Sequence, residues 1–87
     1  MRINHKQQEL IDSLYKKVKV RFPEIEFINL STSPDDPDYI WINVTAAMDD
    51  DREEEFSGFT AELEADIHID YGYMISFMLE NTNMVCV

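Results

Sequence analysis

Bases are nearly absent from this chain beyond residue 21. Of seven Lys and Arg residues, six fall in the first 21 positions (Arg2, Lys6, Lys16, Lys17, Lys19 and Arg21), and only Arg52 follows. With Glu9 and Asp12, the first 21 residues carry net +4. Phe22 to Val87 carries sixteen acids against that one base, net −15, and the total is −11. An acidic body repels phosphate backbones, so direct nucleic-acid binding is not expected and a basic partner is. Glycine is scarce as well. With only Gly58 and Gly72, no glycine-rich loop can cradle a phosphate.

Cysteine occurs once, at Cys86, so no internal disulfide can form. A reduced, buried thiol in the cytosol is the expectation. A nucleophilic cysteine needs a base, and the pattern supplies none. His5 and His68 are isolated, and no zinc-type His pair and no Ser/His/Asp order is present. No run approaches the roughly 20 apolar residues of a membrane helix, and the opening MRINHKQQEL has no apolar leader. Asn43-Val44-Thr45 matches a glycosylation acceptor, but without export it reads as strand. The expected setting is cytoplasmic, with no membrane and no cofactor.

What is present suffices for one domain over residues 1–87. The apolar share is 45%, with one Trp, four Tyr and five Phe, too rich for a disordered chain. A domain this small hides only somewhat more than about 60% of its unfolded surface, so each large apolar residue counts.

The first element reads as a helix. Asn4 is its N-cap with Gln7 as capping-box partner, and Leu10, Ile11, Leu14, Tyr15 and Val18 form one stripe. Lys16, Lys17, Lys19 and Arg21 fall in its last turns, as a solvated helix end or a binding patch. Pro23 stops it. A strand from about Glu24 to Thr32 has imperfect alternation, which means a bulge or burial on both faces. Ser33 to Asp38 is a loop.

Tyr39 to Ala47 alternates cleanly, with Ile40, Ile42, Val44 and Ala46 on one face and Tyr39, Trp41, Asn43 and Thr45 on the other. A second helix starts at Asp50, paired with Glu53 in a capping-box-like pattern. Its apolar face is Phe56, Phe59, Leu63 and Ile67, and it ends at Gly72. Tyr73 to Leu79 is a strand with Ile75, Phe77 and Leu79 on one face and Met74 and Met78 on the other. Asn81-Thr82-Asn83 turns the chain, and Met84 to Val87 is left open as a short last strand. The fold class is α+β: a small mixed sheet of three to four strands with two helices on one face, in the order αββαβ(β).

Two surfaces stand out as candidate binding sites. Asp49, Asp50, Asp51, Glu53, Glu54 and Glu55 give six acids in seven positions, more than a helix N-terminus requires. Tyr39 and Trp41, with Met74 and Met78, would occupy an uncovered sheet face, to be closed by a partner or by a second copy in a dimer. Asp35, Asp36 and Asp38 read as a solvated turn. Their loop lacks the glycine turn and bidentate glutamate of a calcium site.

The stretch from Ala61 to Ser76, in which an amphipathic helix runs into Tyr71-Gly72-Tyr73 and then a strand with Ile75-Ser76, resembles the end of the minimal nucleotidyltransferase domain. The entry into the first strand through Phe22-Pro23-Glu24 resembles that family too. Its members carry Gly-Ser after the first strand, where this chain has Leu30-Ser31-Thr32-Ser33-Pro34. They carry Asp-x-Asp on the second strand, where this chain has Asp38-Tyr39-Ile40. A lone carboxylate cannot build the metal clamp of in-line phosphoryl transfer. The resemblance therefore implies a degenerate, non-catalytic relative, and by analogy an antitoxin-like role, since members often pair with HEPN-domain ribonuclease toxins. The expected function is protein binding through a basic partner surface. A homodimeric structural protein and a residual magnesium-dependent nucleotidyltransferase using Asp38 are the alternatives.

Overall fold

The computed structural model describes residues 3–82, which form two helices and a three-stranded mixed sheet, an α+β fold. The elements are α1 (His5–Arg21), β1 (Glu26–Thr32), β2 (Tyr39–Ala46), α2 (Asp50–Tyr71) and β3 (Met74–Asn81). The expected segment Met84 to Val87, with Cys86, lies outside the described residues.

Helix α1 starts as its sequence dictates. The Asn4 side chain accepts from the Gln7 N–H (2.7 Å), and the Gln7 side chain accepts from the Asn4 N–H (3.1 Å). This reciprocal pair satisfies two orphan donors of the first turn. At the other end Lys19 bends back and donates to the carbonyls of Pro23 (2.9 Å) and Ile25. Part of the basic cluster is therefore a helix-terminating device, while Lys16 and Lys17 remain exposed.

Strands β1 and β2 form an antiparallel hairpin whose register shifts between Phe27 and Asn29. A bulge at Ile28 thus explains the broken alternation of β1. Burial on both faces does not, because Glu26 to Asn29 are exposed. The strand begins at Glu26, two residues later than expected, because Pro23 and Glu24 make the turn from α1. Central strand β2 alternates without a fault, and Ile40, Ile42, Val44 and Ala46 all point into the core. Strand β3 pairs with β2 in parallel, Tyr39 opposite Met74 through Ala46 opposite Asn81. Helix α2 is the crossover that a parallel pair requires.

Strand β2 ends at Ala46 and β3 begins at Met74, each one residue inside the expected bounds, and two further boundaries differ as well. The N-cap of α2 is Asp49, whose side chain accepts from the Arg52 N–H (2.8 Å), so Asp50 is already helical. Strand β3 continues to Asn81 rather than turning there. Asn81 earns its place by side-chain bonding: it accepts from the Met48 N–H (3.1 Å) and donates to the Met48 carbonyl (3.0 Å). Those two bonds clamp the strand end to the loop before α2. Helix α2 ends at Gly72, with φ +75° and its N–H donating to the His68 carbonyl (2.9 Å). Gly58 lies mid-helix on an exposed face, where an added Cβ would meet nothing within 4 Å.

The core is one cluster between helices and sheet. It takes Leu10, Ile11, Leu14 and Val18 from α1, the four inward residues of β2, Phe56 from α2, and Ile75 and Phe77 from β3. Phe22 and Ile25 seal the α1–β1 turn with no exposed surface. Phe22, Phe56 and Phe77 chain edge to face, with centroids 5.2 and 5.9 Å apart, the geometry that aromatic quadrupoles favour. Both helices pack on the same face, so among the described residues the opposite face of the sheet has no layer over it.

Candidate functional site

The residues singled out in the sequence fall in two separate places. The acidic run sits at the start of α2, in the helical layer. Tyr39 and Trp41 lie on the open face of β2, and Tyr39 is at the far end of that strand. Seven residue steps of about 3.3 Å each separate Tyr39 from Ala46, so the two candidate patches do not form one site.

Within the acidic run, the fold itself uses three carboxylates. Asp49 caps α2. Glu53 accepts from the Asn81 side-chain amide (2.6 Å). Glu55 accepts from Arg52 Nη1 (3.1 Å) and stands 3.7 Å from Arg21 Nη2. Asp50, Asp51 and Glu54 are exposed, and their side chains engage nothing among the described residues.

Arg52, the isolated base, is the organiser of this corner, a role its sequence position alone did not disclose. Its Nε and Nη2 grip both oxygens of Glu24 (2.7 and 3.2 Å), and Nη2 also donates to the Arg21 carbonyl (2.9 Å). The guanidinium lies 4.2 Å above the Phe22 ring centroid. One side chain thereby fastens the end of α1, the turn after it and the start of α2. The bidentate fork is the geometry that arginine supplies and lysine does not. The hydrogen bond from Arg52 holds the Glu24 carboxyl below its ordinary pKa.

The open sheet face is ordered in rows across the three strands. Tyr39 stands beside Met74; Ser31, Trp41 and Ser76 form the next row; Asn29, Asn43 and Met78 the third; and Glu26, Thr45 and Glu80 the last. The Tyr39 hydroxyl is 2.6 Å from the Ser76 hydroxyl. The Asn43 amide donates to Asn29 Oδ1 (2.7 Å) and to Ser31 Oγ (2.9 Å). Both donors of that amide are therefore spent within the sheet, and its oxygen remains an acceptor. A depression of about 290 Å³ lies on this face, lined by Ile28, Asn29, Asn43, Met78 and Glu80 among others. Glu26 and Glu80 belong to strands two positions apart, about 10 Å across the sheet. The three strands hold no Lys, Arg or His.

A second polar group lies at the outer edge of β3. The Glu64 carboxylate accepts from the Phe77 N–H (2.8 Å), an outward-facing donor of the edge strand. Burial pushes the Glu64 carboxyl above its ordinary pKa, and the bonds from Phe77 and the Ser76 hydroxyl draw it partly back. A cleft of about 300 Å³ beside it is lined by Tyr39, Glu64, His68 and Ser76 among others.

The positions that the nucleotidyltransferase resemblance singled out are also plain. Asp38 is an exposed turn residue before β2, and Ile40, at the second carboxylate position, is buried in the core. In the preceding loop the Asp36 side chain accepts from the Asp38 N–H (3.0 Å), and the Asp35 N–H donates to Ser33 Oγ (3.3 Å). These bonds shape a turn. Among the described residues, no group of three or more His, Cys, Asp or Glu gathers to hold a metal ion, and no helix is long and apolar enough to cross a membrane. No protein-family model matches this chain, and no curated protein or solved structure is significantly similar to it.

Proposed function

We propose that the chain is a non-catalytic binding module for a protein partner with a basic surface. The observation that carries this reading is the acidity left over once the fold has used what it needs. Asp49, Glu53 and Glu55 are engaged internally, yet Asp50, Asp51 and Glu54 project from α2 without a cation among the described residues, and the sheet contributes acids and no base. Asp50 and Asp51 also suit the helix N-terminus, but Glu54 stands four residues from Asp50 and three from Asp51, where like charges repel, so this density of acids has its use outside the domain. A phosphate-bearing ligand is disfavoured by the same field. The non-catalytic part draws support from Ile40, whose core position leaves Asp38 without a carboxylate mate.

The test is recovery of the partner from native-host lysate with three forms of the bait: wild type, the Asp50→Asn/Asp51→Asn/Glu54→Gln variant, and wild type in high salt. Among the described residues these three acids engage no other side chain, and circular dichroism checks that the variant keeps its fold. Specific recovery that falls in the variant or with salt supports the reading. Recovery indifferent to both overturns it. A homodimer is the second reading, favoured by the uncovered sheet face. Sedimentation decides it, since the monomer mass is 10.2 kDa.

A further inference from the structure

We propose that the depression on the open sheet face is a receptor for an arginine side chain of the partner protein. This inference rests on the basic-partner reading and names the place and the chemistry. The depression has apolar walls, Ile28 from the bulge of β1 and Met78 from β3, and a carboxylate at its rim, Glu80. Its floor includes Asn43, whose amide donors are both held by Asn29 and Ser31 (2.7 and 2.9 Å), which turns the side-chain oxygen into a fixed acceptor. The site thus offers the Glu80 carboxylate and the Asn43 oxygen as acceptors, with the Asn29 amide donor and apolar surface beside them, and its strands offer no cation.

An incoming group must supply several donors, positive charge and an apolar stem. Arginine has all three: five N–H donors in a planar fork and a three-methylene stem that lies along apolar walls. Lysine brings the charge but no fork to span Glu80 and Asn43. The volume, about 290 Å³, admits one long side chain rather than a folded segment. Glu26, in the same row as Glu80, extends the negative end of the face and suits a second base on the same partner.

A second copy of this chain, whose claim on the face is its lack of cover, suits the depression less well than an arginine side chain. Face-to-face pairing would bring together two surfaces with carboxylates and no base, each on a chain of net charge −11. The bulge at Ile28, which disturbs strand pairing elsewhere, here lifts an apolar side chain to the wall of the depression. It leaves Ile28 44% exposed, beside Met78 at 37%.

The experiment is a nitrogen-15 chemical-shift titration of the full chain with the peptide acetyl-Ala-Leu-Arg-Leu-Ala-amide. Two controls replace the arginine with citrulline, its uncharged isostere, and with lysine. The expected result is saturable shifts centred on Ile28, Asn29, Asn43, Met78 and Glu80. Glu80→Gln should weaken binding about tenfold, the size of one charge-assisted bond, and citrulline should weaken it likewise. Lysine should bind less tightly than arginine. Equal binding of the citrulline peptide, or shifts that leave the sheet untouched, overturn the proposal. So does a stable dimer that buries this face. Binding lost in the Asp50/Asp51/Glu54 variant but kept in Glu80→Gln also overturns it, and in that case the basic-partner reading stands on the helix alone.

Discussion

The two glycines of this chain should respond to alanine with opposite signs. Gly58 lies in the middle of the 22-residue helix α2, outside the left-handed region, on an exposed surface where a methyl group meets no atom within 4 Å. Nothing in the packing requires its missing side chain. Gly58→Ala therefore removes only the entropic cost of a mid-helix glycine, about 1 kcal/mol. Gly72 has as much open space around it, but its φ is +75°. There an L side chain costs about 1–2 kcal/mol, reduced by the smaller entropy of the unfolded alanine chain. For a domain of this size, 1 kcal/mol moves Tm by about 4–8 °C. Thermal and urea melts followed by circular dichroism should place Gly58→Ala above wild type by about that interval and Gly72→Ala below it. The urea slope should be unchanged, since neither substitution alters the buried surface. A Gly58→Ala protein no more stable than wild type would refute the reasoning, because the free helix would then hold a constraint that the open space around Gly58 denies.

Other outcomes follow from the packing and the charge contacts. Ile42, fully buried at the centre of β2, should lose about 0.5–1.5 kcal/mol on substitution by valine, measured by urea melts. Arg52→Lys should lower Tm nearly as much as Arg52→Ala, because lysine cannot grip both oxygens of Glu24 while reaching the Arg21 carbonyl; full rescue by lysine would show that charge alone matters at this corner. The Glu24 carboxyl is held below its ordinary pKa, so its stabilising effect is complete at neutral pH. That effect is lost as pH falls below about 4.3 and through the lower folded value. A Glu24→Gln protein should therefore lose less stability than wild type across that acid range. Glu64 runs the other way: its carboxyl is held above the ordinary range, so ionisation costs stability as pH rises through its folded value. Glu64→Gln should match or exceed wild type in urea melts at pH 7, and Glu64→Ala, which strips the Phe77 N–H of its acceptor, should fall below both.

Local signals in the sequence carried most of the architecture. The Asn4–Gln7 box, the perfect alternation of Tyr39 to Ala46 and the stop at Gly72 depend on neighbours within a few residues, and each stands as read. The α2 cap slipped by one because Asp49 and Asp50 are chemically alike, and only the backbone decides which oxygen meets the Arg52 N–H. The end of β3 was hidden because Asn81 looks like a turn residue until Met48, 33 positions earlier, is seen beside it. The same limit applied to the candidate site. A run of six acids was legible, but the division between structural Asp49, Glu53 and Glu55 and uncommitted Asp50, Asp51 and Glu54 depends on Arg21, Arg52 and Asn81 meeting them in space. Glu80 drew no notice, and the broken alternation around Ile28 predicted a bulge without a neighbour, because nothing in their local sequence places them near Asn43.

The parallel pairing of β2 with β3 has a consequence for synthesis. Each pair in that ladder joins residues 35 positions apart, Tyr39 with Met74 through Ala46 with Asn81, whereas the β1–β2 hairpin joins residues as close as Thr32 and Ile40. Growing from its N-terminus, the chain can form the hairpin early. It must then wait for all of α2 before the central strand acquires its second neighbour. Until Ile75 and Phe77 emerge, Ile40, Ile42 and Val44 lack part of their cover, and one side of β2 is a bare row of peptide groups. Asn81, which bonds back to Met48 and Glu53, is the last residue of that ladder to emerge, so a ribosome stalled within α2 would hold a chain whose central strand still lacks its second neighbour.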